Sequence, residues 1–221
     1  MGSQMIKKAM NELDVCRRKY TGQEFRAADQ DGEKHLTGHA AVFNSPTDIA
    51  GYFEEIIEPG AFDGCDLTDV PFFVNHRDNK IPLARSRNNN GNSTMKLSVD
   101  LTGLAMDARV DTENNQEARA VYSAVERGDV SGMSFSFRVK EQKWENLDTR
   151  YPTRRITKIG KVYEVSVVND PAYEETDISA RDKEALESAR AALDSARSKE
   201  LESSKEAEVY KLRMRNEILS K

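Results

Sequence analysis

From Phe25 onward the chain alternates short apolar stretches with polar breaks that carry glycine, proline, asparagine or aspartate. His39–Phe43, Phe53–Ile57, Val70–Val74, Met95–Leu101 and Leu104–Val110 follow one another in this way, which is the spacing of a meandering antiparallel sheet. The run Asn88-Asn89-Asn90-Gly91-Asn92 reads as a loop tip between two of them. Further on, Phe135, Phe137 and Val139 alternate with Ser134, Ser136 and Arg138, and a period of two puts both serines on one face of a strand. Another strand is predicted at Lys161–Val168. One stretch has a different period: Ala118, Val121, Tyr122 and Val125 recur at i, i+3, i+4 and i+7. That pattern predicts a helix covering one side of the sheet, with Asp111 or Thr112 as N-cap and Gly128 after the last turn.

The two ends of the chain are different in kind. Residues 1–20 are mixed and charged, with a helical pattern around Met5–Arg18, and read as a leader without a strong ordering signal. All 12 glycines and all 6 prolines lie at or before Pro171, so the last 50 residues lack the residues that punctuate turns. From Ile178 the tail holds 10 basic and 9 acidic residues, with acid-to-base pairs at Glu187/Arg190, Asp194/Arg197, Glu202/Lys205 and Glu208/Lys211. Such pairs favour helix by a few tenths of a kcal/mol each. Its apolar stripe, Leu186, Ala189, Leu193, Ala196, Leu201 and Leu212, is narrow and partly alanine, as in an exposed helix or weak coiled coil. Three segments result: a leader at 1–20, a folded domain at 21–177 and a charged helical tail at 178–221.

Composition narrows the function classes. The chain of 221 residues has 38% hydrophobic and 32% charged residues and a net charge of −5. It can bury an ordinary core but has no basic block that would track a phosphate backbone, so no nucleic-acid partner is expected. No N-terminal apolar run reads as a secretory signal, and no stretch approaches the ~18 apolar residues of a membrane span, which points to the cytosol and to no membrane partner. Cys16 and Cys65 form no ligand spacing, so neither a metal nor a disulfide framework is expected.

Three positions have the chemistry for catalysis. Of the three histidines, His35 lies in the polar run Asp31-Gly-Glu-Lys-His and reads as solvated, and His39 reads as a hydrogen-bonded sheet histidine. His76 ends the apolar strand Pro71-Phe-Phe-Val-Asn-His ahead of the turn-like Arg77-Asp-Asn-Lys, where a scaffold can present a base. Ser134 would be a nucleophile only if such a base accepts its proton. Glu164 sits in a strand apolar on both faces, with Val162, Ser166 and Val168 on its own side. A carboxylate buried there requires a partner. Either a histidine or one of Arg85, Arg138 and Arg154 would serve, and the residues leave these open. Asp170, in the turn Asn169-Asp170-Pro171, is the second candidate acid.

Taken in order, Gly38-His-Ala-Ala-Val-Phe-Asn, Glu55-Ile-Ile-Glu-Pro-Gly-Ala-Phe, Val74-Asn-His with Pro82-Leu83 beyond it, Ser131-Gly-Met-Ser-Phe-Ser-Phe and Glu164-Val-Ser-Val-Val-Asn-Asp-Pro-Ala resemble the prohead maturation proteases of HK97-type tailed phages, over about residues 24–175. The resemblance implies a serine endopeptidase related to the herpesvirus assemblin proteases. The implied fold is mostly β with helices (α+β), a closed antiparallel β-barrel with covering helices, to which this chain adds its helical tail.

By that resemblance His76 is the general base, Ser134 the nucleophile and Glu164 the third member, with no cofactor. Where the family pattern has Ser-Phe-Gly-Phe, this chain has Ser136, a fallback nucleophile on the same face. Arg154-Arg155 reads as a charged surface turn, with its backbone as an alternative oxyanion donor of the kind arginine-containing segments supply in assemblins. The implied partners are the major capsid protein, whose N-terminal scaffolding segment is cut together with scaffold, and further copies of the chain itself as a homodimer or higher oligomer. The implied location is inside the immature procapsid in the host cytoplasm, with self-cleavage afterwards. The competing expectation is a catalytically inactive assembly protein that keeps the barrel and uses the tail as scaffold.

Overall fold

The computed structural model describes residues 15–20, 25–169 and 180–219. Within them the chain is mostly β with two helices: β1 (Val15–Tyr20), β2 (Arg26–Gln30), β3 (Glu33–Val42), β4 (Thr47–Ile49), β5 (Phe53–Ile57), β6 (Val70–Val74), β7 (Ala84–Ser86), β8 (Met95–Val99), β9 (Gly103–Arg109), α1 (Gln116–Glu126), β10 (Gly132–Glu145), β11 (Thr153–Val168) and α2 (Ala180–Leu219). The apolar stretches read from the sequence are all strands. The last residues of the expected leader are one as well: the helical pattern ending at Arg18 gives way at Val15 to β1, the edge strand along β10. The earlier part of that pattern lies outside the described residues.

The strands form two sheets. The smaller is antiparallel in the order β2-β3-β9-β8. In the larger, β1, β10, β11, β5 and β4 are neighbours in that order, and β6 joins a second stretch of β11 and carries β7. The long strand β11 organises this sheet. It is antiparallel to β10, but parallel to β5 at Thr153–Ile156 and parallel to β6 at Val165–Val167. The expected all-antiparallel meander is therefore corrected to a mixed sheet. Among the described strands no ladder joins the two sheets into a closed barrel; they meet through a shared core, with single backbone hydrogen bonds at their margins from Thr94 N–H to Arg85 O at 3.0 Å and from Asn44 N–H to Ile57 O at 2.9 Å. Period-two patterning tells which face a residue takes, while partner and direction depend on where the chain returns.

One hydrophobic cluster spans both sheets, uniting Leu36, Met106 and Ala108 with Phe72, Phe135, Phe137 and Val165. Helix α1 adds Ala118, Tyr122 and Val125. Its N-cap is Asn115, whose Oδ1 accepts from the N–H groups of Glu117 and Ala118 at 3.0 and 3.2 Å. Asp111 instead holds the preceding turn through the N–H groups of Glu113 and Asn114. Both residues offer the same acceptor, and the one adjacent to the first helical turn takes the role. At Gly103, opposite Val42, a Cβ would come within 1.9 Å of the Ala41 carbonyl oxygen, so only glycine lets the strands approach.

The tail is helical as expected, but its first half is not free. Leu193 is buried against Ile49 and Phe53, the Arg190 guanidinium lies 4.9 Å from the Tyr52 ring centre, and Arg197 donates to the Thr149 carbonyl at 2.9 Å. Beyond that contact Leu201, Val209 and Leu212 are exposed. Among the described residues no helix is long and apolar enough to cross a membrane.

Inside the larger sheet lies an ionic cluster. Glu55 of β5 is 2% exposed and is gripped by both Nε and Nη2 of Arg18, from β1, with Nη1 of Arg154, from β11, at 3.0 Å. Arg154 also donates to Gln142 at 2.6 Å. Burial pushes the Glu55 carboxyl up, but the two guanidiniums outweigh it and hold it below its usual 4.5. Because the folded state favours the ionised form, its contribution to stability is present above that value and lost as the pH falls below it.

Two predictions follow from this packing. Glu55→Gln strands two buried guanidiniums and should lose about 3–5 kcal/mol in urea unfolding. Its stability should also fall less steeply than that of the native chain on acidification below 4.5. Leu193→Asp should release α2, so that limited proteolysis cuts within 180–219 faster while the thermal midpoint of the sheets changes little.

Candidate active site

The site is built on adjacent strands β6, β11 and β10. On β10, Ser134 lies opposite Ser166 of β11 and Ser136 lies opposite Glu164, so all four side chains share one face. The pairing then skips Tyr163, and Val162 pairs with Phe137 on the aromatic side. The bulge thus corrects the strict alternation that placed Val162 beside Glu164. In the parallel direction, Ser166 and Val167 align with Phe73 and Val74 of β6, and β6 runs directly into Asn75 and His76.

The backbone at the end of β6 turns sharply. Asn75 and His76 both have positive φ, 50° and 56°, a left-handed conformation that costs non-glycine residues roughly 1–3 kcal/mol each. Hydrogen bonds to β11 and its end hold them there. Asn75 N–H donates to Val167 O at 2.9 Å, Asn169 N–H to Asn75 Oδ1 at 3.1 Å, and His76 N–H to Ser166 Oγ at 3.2 Å. Arg77 ties the following turn to Glu117 of α1 at 2.6 Å. The result directs the His76 ring back over β11, where Nδ1 is 2.5 Å from Glu164 Oε1. The other oxygen, Oε2, accepts from the Ser166 hydroxyl at 2.6 Å.

The partner of Glu164 is therefore the histidine. Of the candidate arginines, Arg85 bonds Asp69 and Arg154 bonds Glu55. Asp170, the alternative acid, lies outside the described residues. Ser134 is placed on the same face, but its hydroxyl donates to the carbonyl oxygen of Arg18 at 2.9 Å, not to His76. It is 2% exposed, and Ser136 is 3% exposed.

A histidine–carboxylate pair alone does not single out His76. His35 Nδ1 is 2.5 Å from Asp107, correcting its reading as a solvated side chain, and His39 Nε2 is 2.9 Å from Asp100. Both belong to β3 of the smaller sheet, where no serine is paired across the strand in register with them. His76 is distinguished by its strained turn and by the hydroxyls facing its carboxylate. Ser166 went unrecognised in the sequence as part of the site. Its place two residues after Glu164, on the same strand face, was the available signal.

Other candidate chemistry falls away. Burial, with the neighbouring charge of Asp66, pushes the Cys65 thiol up to about 11, so it is protonated at neutral pH and a poor nucleophile. Arg154 pairs with Trp144 on one side and Glu55 on the other. Its backbone is thus inside a ladder at the opposite end of the β10–β11 hairpin from Ser134, which corrects the reading of Arg154-Arg155 as a charged surface turn and sets its backbone apart from Ser134 as an oxyanion donor. Among the described residues no three His, Cys, Asp or Glu side chains are grouped so that they could hold a metal ion.

If the Asn75–His76 turn positions the ring, Asn75→Ala should lose the Asn169 contact and raise the strain of the left-handed conformation. The His76–Glu164 proton signal in NMR should then broaden or disappear, while those of His35 and His39 persist.

The family model of the caudovirus prohead serine proteases matches residues 22–190, extending beyond the sheets into the first turns of α2. No curated protein and no solved structure matches the chain. With well over half of its residues aligned to that family, the chain belongs to the caudovirus prohead serine proteases, the enzymes of phage capsid maturation.

Proposed function

We propose that Ser134 is the nucleophile, His76 the general base and Glu164 the third member of this protease. The observation that carries the assignment is the 2.5 Å contact of His76 Nδ1 with Glu164, made on the sheet face that also carries Ser134. The carboxylate holds Nδ1 protonated, which leaves Nε2 free of its own proton and able to take one from a hydroxyl. Register favours Ser134 over Ser136, since Ser134 is two pairs nearer the end of β11 that His76 adjoins.

In the reaction, Ser134 exchanges its bond to the Arg18 carbonyl for one to His76 and attacks a substrate peptide carbonyl as its proton passes to the imidazole. The imidazolium then protonates the departing amine, leaving an acyl ester on Ser134. Water, losing its proton to His76, cleaves the ester and restores the hydroxyl.

The substrates in this reading are scaffold and the N-terminal scaffolding segment of the major capsid protein, cut inside the immature shell, followed by the protease itself. The assemblin-type closed barrel, the oligomeric partnership and the division at residues 20 and 177 belong to the same reading. So does a docking role for the tail at 178–221, supported by the exposed Leu201, Val209 and Leu212.

The burial of Ser134 and its bond to Arg18 favour a second reading, an assembly protein with no proteolytic activity. Co-expression with the cognate capsid protein, read by intact mass, separates the two. Cleavage is expected in the native chain, none in Ser134→Ala or His76→Ala, and a rate reduced about 10³- to 10⁴-fold in Glu164→Gln. Persistent cleavage in Ser134→Ala that disappears in Ser136→Ala would transfer the role to Ser136. Deleting 178–221 should lower protease incorporation into procapsids, and unchanged incorporation would remove the docking role.

A further inference from the structure

We propose that Ser166 is a positioning residue of the proteolytic site, acting on rate through the histidine and carboxylate without touching substrate. The proposal rests on the assignment of His76 and Glu164 just made. Ser166 is 0% exposed, and its hydroxyl is used in both directions. It donates to Glu164 Oε2 at 2.6 Å and accepts the backbone N–H of His76 at 3.2 Å.

With the contact of Glu164 Oε1 to His76 Nδ1, these bonds close a ring. The backbone of His76 is tied to Ser166, Ser166 to one carboxylate oxygen, and the other oxygen to the imidazole of the same histidine. The main chain and side chain of His76 are therefore fixed by one network. This matters at a residue whose φ of 56° is not its relaxed conformation, because release of the N–H would let the turn and ring relax together. The donor also keeps the carboxylate from rotating its second oxygen towards the imidazole.

Ser166 is an unsuitable nucleophile for the same reason that it suits this role. Its proton is directed at Glu164, and its lone pair is engaged by a backbone N–H, so no proton is available for Nε2. Ser134, directly across the ladder, keeps its proton on an exchangeable contact with a carbonyl.

The test is a double-mutant cycle on cleavage of the cognate major capsid protein by the full chain, with folding followed by circular dichroism. Ser166→Ala should lower kcat about 10- to 100-fold with KM unchanged. In the Glu164→Gln background the same change should cost less than about twofold, because the two residues act as one unit. Ser166→Thr, which retains the hydroxyl, should recover most of the rate.

Equal rates for Ser166→Ala and the native chain would overturn the proposal, as would multiplicative losses in the double variant or a parallel rise in KM. Should Ser166→Ala fail to fold, Ser166→Cys, nearly isosteric but a weak donor, takes its place in the cycle with the same outcomes. His76→Ala keeps the two failures apart. Cleavage by that variant overturns the triad together with Ser166, whereas its inactivity beside a fully active Ser166→Ala overturns Ser166 alone.

Discussion

Two carboxylates are buried in the seven-stranded sheet, and neither can be there without a partner. Glu55 and Glu164 are each flanked by buried apolar neighbours, Ile56 and Ile57 for the first and Val162 and Val165 for the second, and a desolvated carboxylate there needs a compensating partner. Glu55 is compensated by two guanidiniums, drawn from β1 and β11, and this cluster fastens the edge strand to the middle of the sheet. Glu164 is compensated by an imidazole and a hydroxyl. The first arrangement is electrostatically closed, because arginine does not give up its proton. The second contains a ring nitrogen able to exchange one. The same physical requirement thus produces an arginine–carboxylate cluster at one end of β11 and a histidine–carboxylate pair at the other.

The long strand β11 makes both possible. It changes parallel partner along its length, from β5 at Thr153–Ile156 to β6 at Val165–Val167. The bulge at Tyr163 lies between these stretches. It reverses the alternation, so that Glu164 and Ser166 meet the serines of β10 while Val162 turns towards Phe137. The second parallel pairing brings the end of β6, and with it His76, beside Glu164 although 88 residues separate them in the chain. The positive φ at Asn75 and His76 is the local cost of reversing the ring over the sheet, offset by hydrogen bonds to β11.

The Ser134 hydroxyl, satisfied by the Arg18 carbonyl, links the two ends. The strand that supplies the carbonyl also supplies the side chain that neutralises Glu55. Moving β1 would therefore disturb both the ionic cluster and the hydrogen bond of Ser134.

Most of the longer strands, the α1 helix, the helical tail and the shared face of Ser134 and Ser136 were legible in the sequence, because each depends on periodicity within a single element, whereas β1, read as part of a helical leader, and the short strands β2, β4 and β7 were not. Glu164 could be read as buried and in need of a partner for the same reason, and the ordered motifs carried the family. The choice of His76 over Arg85, Arg138 or Arg154 was not legible, since it follows from which strands lie next to β11. Nor were the parallel pairings, the capping of α1 by Asn115, the carboxylate partner of His35, or the place of Ser166 in the site. Local pattern determines which way a side chain faces. Only the tertiary structure decides what it faces, because long-range strand order and a one-residue bulge set the partner.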